Sequence, residues 1–147
     1  MKIVVISDLH ANLDALNVAQ LLPVQVLGLS TTTIMNLTEA QVGSLSAADI
    51  GALPVAGVNS LTTTEIAALT TAQAGGFTSA QIAGMTTTNF SALSSTSGIP
   101  GLSTTAIPGL STDQINSLTT TQGNAFLEAQ ISVMSMDVAS ALAALIQ

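Results

Sequence analysis

A chain of 147 residues has room for one domain with a buried core, and its 48% hydrophobic against 6% charged side chains set it apart from disordered sequences, which invert that balance. The formal charge of -7 arises because Lys2 is the only Lys or Arg, which excludes a phosphate-neutralising nucleic-acid footprint, a P-loop lysine, an arginine clamp and a polybasic membrane patch. With no Cys, a disulfide framework and thiolate chemistry are excluded as well.

The chain opens with MKIVVISD, whose apolar run before Ser7 and Asp8 is too short for the apolar region of a secretory signal. Residues 1–12 are therefore read as a short strand-like cap segment. Over residues 1–16 the letters MKIVVISDLHANLDAL are similar to the opening strand and loop of calcineurin-like metallophosphoesterases, in which an Asp-x-His pair supplies the first ligands of a dinuclear metal centre. The resemblance implies Asp8 and His10 as those ligands, with Asn12 nearby, although Ala11 stands where the family usually has Gly. A two-metal phosphoesterase needs further Asp, Asn and His ligands from later motifs, and the chain has no second His. Asp49, Asp113 and Asp137 sit in repeat positions without the flanks such motifs require. The expectation is a leftover or fused strand and cap and no enzyme: no catalytic residue, no cofactor-binding residue and no cofactor, with Asp8 and His10 the only metal-ligand candidates. A Ser-His-Asp triad would have His10 as its only imidazole, and no Gly-x-Ser-x-Gly elbow occurs.

From Leu13 onward a large apolar residue recurs every eight positions, as in Leu45, Leu53, Leu61, Leu69, Phe77, Met85 and Leu93. After a one-residue insertion near Gly98 the series resumes at Leu102 and runs through Leu110, Leu118, Phe126 and Met134 to Leu142. Five residues after most of these comes a second apolar series, including Val26, Ile34, Val42, Ile50, Val58, Ile66, Ile82, Phe90, Ile107, Ile115 and Ile131, with Ala74 and Gly123 as weak members. Such regularity is the mark of a repeat architecture.

Each unit also carries a helix-start signal. A Ser or Thr followed three residues later by Gln or Glu forms a capping box at Thr38/Gln41, Thr62/Glu65, Thr70/Gln73, Thr78/Gln81, Ser111/Gln114 and Thr119/Gln122. The preceding Leu and the following Ile or Val occupy the two places of a hydrophobic staple. This predicts an all-α solenoid over 13–147, with one very short capped helix per eight-residue repeat, held together by stacking because helices of one or two turns do not survive alone. Small pairs such as Ala67/Ala68, Gly75/Gly76, Ala83/Gly84 and Ser91/Ala92 are expected at points of close approach, and the Thr and Gln positions in water. Glu39, Glu65 and Glu128 read as helix-start acids or solvated residues. A parallel β-solenoid is the alternative, since Thr and Ile suit strands. Against it, the spacings of five and three are both odd and would send successive apolar residues to opposite faces of a continuous strand.

Pro23 falls at the first helical position of its unit, where its missing N–H costs nothing. Pro100 and Pro108, in the irregular joint at about 94–110, are expected to shorten or replace helices. The Ala/Leu-rich end, Asp137 to Ile146, predicts a slightly longer closing helix. Residues 66–112 contain no charged side chain, but polar residues interrupt them every few positions, so no membrane insertion is expected.

Over about 13–135, units such as LTTTEIAAL and LTEAQVGSL resemble the octapeptide arrays, LTTAQ followed by Ile or Val, of large bacterial surface and secreted adhesin-like proteins. The resemblance implies an extracellular or cell-surface setting and a structural or adhesive role. The expected function is a structural or interaction module: a stalk, a spacer or a self-assembling fibre element whose partners are copies of itself or other repeat modules. The alternatives are the partial metallophosphoesterase N-terminus fused to repeats, and an adhesive or ice-facing surface built from the Thr runs at 31–33, 62–64, 86–88 and 119–121.

Overall fold

The computed structural model describes residues 20–147. Among them there is no strand, and the repeats form an all-α solenoid of short helices. In chain order these are α1 (Pro23–Leu27), α2 (Thr31–Met35), α3 (Glu39–Gly43), α4 (Ala47–Ala52), α5 (Val55–Val58), α6 (Thr63–Ala68), α7 (Thr71–Ala74), α8 (Ser79–Gly84), α9 (Thr87–Ser91) and α10 (Gly98–Gly101). A 3-10 turn, Ile107–Gly109, precedes α11 (Thr112–Asn116), α12 (Thr120–Gly123), α13 (Glu128–Ile131) and α14 (Met136–Leu145). Each octapeptide unit from Leu21 on thus yields one helical element. The β-solenoid alternative is absent from the described residues, for the reason the odd spacings gave.

Every sequence-predicted capping box is formed. Thr70 shows the pattern: its hydroxyl accepts from the Gln73 N–H at 3.2 Å while the Gln73 side-chain oxygen accepts from the Thr70 N–H at 3.0 Å. Ser46 and Asp49 make an additional box with a shorter acid. Between helices the chain passes through the repeat Leu and the capping Thr in extended backbone, as at Leu69 (φ -58°, ψ 134°) and Thr70 (φ -72°, ψ 162°). No described residue has a positive φ. Units therefore join without any left-handed residue, and the glycines serve spacing more than conformation.

Both apolar series point inward. Val26, Ile34, Ile50, Val58, Ile66, Ile82, Phe90 and Ile115 are wholly buried, and the Leu series from Leu29 to Phe126 lies beside them. Complete burial of one such side chain stabilises by about 1.5–3 kcal/mol, so these two rows carry the fold. Gly123, a weak member by sequence, is compensated by α14: the space its side chain would fill is taken by Leu142, Leu145 and Ile146. Ile131 departs from the pattern, being 40% exposed although it occupies the same place in its unit.

The solenoid closes between three and four units per coil. Helix α4 packs on α1, α5 on α2, α6 on α3 and α7 on α4. Small residues do make the closest approaches, but at fewer places than the sequence suggested. A Cβ on Gly76 would fall on the Ala47 carbonyl oxygen, and one on Gly109 on that of Ser79, whereas Ala67, Ala68 and Ala83 are exposed. At the joint, the inserted residue is absorbed in the turn before α10, and Pro100 and Pro108 lie in the four-residue α10 and in the 3-10 turn. The ten residues of α14 form the expected longer helix at the end.

Candidate functional surface

Helices of four to six residues pose a polar problem, because an α-helix leaves its first four N–H and last four C=O groups without internal partners. Here that is almost every backbone group. The capping Ser or Thr and its box partner satisfy the N-terminal donors. The C-terminal acceptors are satisfied from the next coil, by the same Gln.

The Gln73 amide nitrogen donates to the carbonyls of Val42 and Leu45, both at 2.9 Å, which lie 31 and 28 residues earlier. Gln81 donates likewise to Ile50 and Leu53, both at 2.7 Å, and Gln130 to Ile99 at 2.9 Å and Leu102 at 2.7 Å. Gln114 and Gln122, whose bonds span the inserted residue, reach back 32 and 29 and 31 and 29 residues. Each of these Gln side chains therefore caps its own helix with its oxygen and ties down the coil beneath with its nitrogen. The expectation that Gln faces water is corrected accordingly. Gln73, Gln81, Gln114 and Gln130 are buried because both ends of the amide have protein partners, which removes the cost of desolvating it.

Shorter or acidic side chains at this place achieve only part of the bonding. Asn89 donates to Val58 and Leu61 at 3.2 and 3.3 Å but does not close the box, since the Thr86 N–H donates instead to Asn59. Asp49 closes its box through one oxygen and leaves the other, Oδ1, buried without a hydrogen-bond partner. Ser97 donates to the Leu69 carbonyl alone. One methylene separates Asn from Gln, and that length is what spans helix start and neighbouring coil at once.

Glu65, read from sequence as a helix-start acid or a solvated residue, is a helix-start acid and is buried, 7% exposed. Its Oε2 accepts from the Thr62 N–H and hydroxyl, but a carboxylate offers no donor to the Ile34 and Leu37 carbonyls that the 31- and 28-residue register places opposite. Glu65→Gln is therefore expected to stabilise the protein by about 1–2 kcal/mol, the net worth of two added hydrogen bonds, read as a higher midpoint in urea unfolding at unchanged slope. A lower midpoint would show that the register does not extend to this coil.

The outer surface is Thr-rich. Thr62–Thr64, Thr86–Thr88 and Thr119–Thr121 are exposed at helix starts, whereas in the run 31–33 Thr33 is buried against Ser30. Because Gln73 bonds to the end of α3 and to the Leu that opens the next unit, the start of one helix lies over the end of another. The Thr clusters of successive coils are consequently out of step. The large exposed apolar side chains belong to the first and last described helices: Leu22, Val24, Leu27 and Met35 around α1 and α2, and Leu127, Ile131, Val133 and Met136 around α13 and α14.

Asp8 and His10, with the whole 1–12 segment and Asn12, lie outside the described residues. Among the described residues no three His, Cys, Asp or Glu side chains come together, and no helix is long and apolar enough to cross a membrane. Sequence reasoning found the caps but missed the second bond of the Gln. A signal was present, since a capping box accepts Glu as readily as Gln, yet Gln holds five of the six box-partner positions and Glu only one. No family model, curated protein or solved structure matches the chain.

Proposed function

We propose that this chain is a structural repeat module, acting as a stalk, spacer or self-assembling fibre element of a bacterial surface or secreted protein. The observation that carries this reading is the Gln ladder: Gln73, Gln81, Gln114, Gln122 and Gln130 fasten one coil to another by the same pair of bonds. Length is thus added unit by unit with no change of design, as in repeat proteins whose stability is a sum over neighbours. The extracellular setting rests on the likeness of units such as LTTTEIAAL to adhesin-type octapeptides. The out-of-step Thr clusters favour a spacer over a flat ice-facing surface, which requires hydroxyls in straight rows.

Fluorescent proteins fused to both ends, with increasing copies of residues 77–84, the unit that carries Gln81, inserted after Gly84, test the spacer role. A solenoid predicts an energy-transfer distance that grows in proportion to the number of inserted units. A flexible chain grows only as about the square root of its length. Square-root growth, or none, overturns the reading.

A further inference from the structure

We propose that the array carries a release seam: residues 20–37, with α1 and α2, open as a unit from the coil packed over them while the rest of the solenoid stays closed. The use of this seam as a yielding point rests on the spacer reading, whereas the seam itself does not.

The first observation is a run of missing ladder bonds. From Val42 onward the coils are fastened by side-chain donors: Gln73 holds Val42 and Leu45, Gln81 holds Ile50 and Leu53, and Asn89 holds Val58 and Leu61. The three ladder places before Gln73 are Asp49, Gly57 and Glu65. The same 28- and 31-residue register sets them opposite the carbonyls of Leu21, Val26, Leu29, Ile34 and Leu37. None has a donor to offer, since two are carboxylates and the third has no side chain. Asp49 Oδ1 is correspondingly buried without a partner.

Among the described residues no hydrogen bond joins residues 20–37 to the coil above. Elsewhere a ladder place without a donor stands alone: Ala106 falls between Ser97 and Gln114, and both of these bond to the coil beneath.

The second observation is what does close the seam. Helix α4 packs on α1 and α5 on α2, Val26 and Ile34 are wholly buried, and Ile34 Cδ1 occupies the place that a side chain on Gly57 would take. Apolar burial of this kind is non-directional and common to all the coils, so the absent bonds are what sets this junction apart. One pair of such bonds shifts an opening equilibrium by roughly tenfold or more. Three successive places without a pair make this the junction that opens first, as a sub-global unit. Drawn out fully, the segment from Gln20 to Leu37 reaches about 60 Å. A spacer with this seam yields one fixed increment of length under tension before the Gln-fastened coils part.

Amide-resolved hydrogen exchange on the full chain tests the seam. The N–H groups of Val26, Ile34, Ile66, Ile82 and Ile115 hold the same place in their units and each donates to the carbonyl of its own helix cap, so they are directly comparable. Val26 and Ile34 are expected to exchange at least about tenfold faster than the other three. Glu65→Gln supplies a donor opposite Ile34 and Leu37, and is expected to slow Val26 as well as Ile34 by about tenfold, because the two open together. Ile82→Val weakens the body of the array mildly. It is expected to leave the rates at Val26 and Ile34 unchanged, since their opening does not break the contacts of Ile82. Exchange at Val26 and Ile34 no faster than at Ile66, slowing at Ile34 alone in Glu65→Gln, or acceleration of both by Ile82→Val overturns the proposal. Uniform exchange with reporter distances still proportional to unit number would refute the seam and leave the spacer standing; a fast-opening seam with square-root growth would do the reverse.

Discussion

Gln81→Ala is expected to cost about 3–4 kcal/mol, far more than a surface substitution, because one truncation abolishes several hydrogen bonds at once. The Thr78 N–H loses its acceptor, and the Ile50 and Leu53 carbonyls lose their donor. The Gln81 side chain is 3% exposed, so water cannot readily replace these partners. Gln81→Glu separates the two functions: it keeps an oxygen for the Thr78 cap and removes the donors to the coil beneath. Its loss should be about half that of the alanine variant. Urea unfolding of the three proteins gives the order directly. Equal losses for Glu and Ala would assign the whole effect to the inter-coil bonds, and a harmless Glu would assign it to the cap.

The second large effect is steric and has a built-in control. Gly76→Ala places a methyl group against the Ala47 carbonyl, backbone against which no side-chain rotation gives relief. Overpacking of this kind costs roughly 1–3 kcal/mol, and Gly76→Val more. Gly43→Ala adds the same methyl in α3 where nothing lies within 4 Å. There the reduced freedom of the unfolded chain should stabilise by about 0.4–1 kcal/mol. Thermal melts of opposite sign for one chemical change would locate the tight seam between coils. A tolerated Gly76→Ala would show that the coils can separate there.

How much of this was legible in the sequence follows the range of the interactions. The helix starts were readable because a cap and its box partner lie three residues apart, as in Ser111 and Gln114, and the chain itself fixes their geometry. The two buried rows were readable because staple and anchor belong to one unit. The closure of the coil was not, since nothing local sets the number of residues between Gln73 and the Leu45 carbonyl. The burial of Gln followed from that closure and was missed with it. Ile131 reads like any other anchor, yet it is 40% exposed. The outer surface was the least legible, because the placing of its exposed Thr depends on how the coils are stacked.

Since a coil takes between three and four units, the array has the arithmetic of an α-helix one level up, with octapeptides in the place of residues. Adding one unit lengthens the rod and also swings everything beyond it part of the way around the axis, and a surface mark returns to the same side after about seven units. Gain or loss of a single octapeptide would re-aim whatever the array carries. Length and bearing are set by the same count.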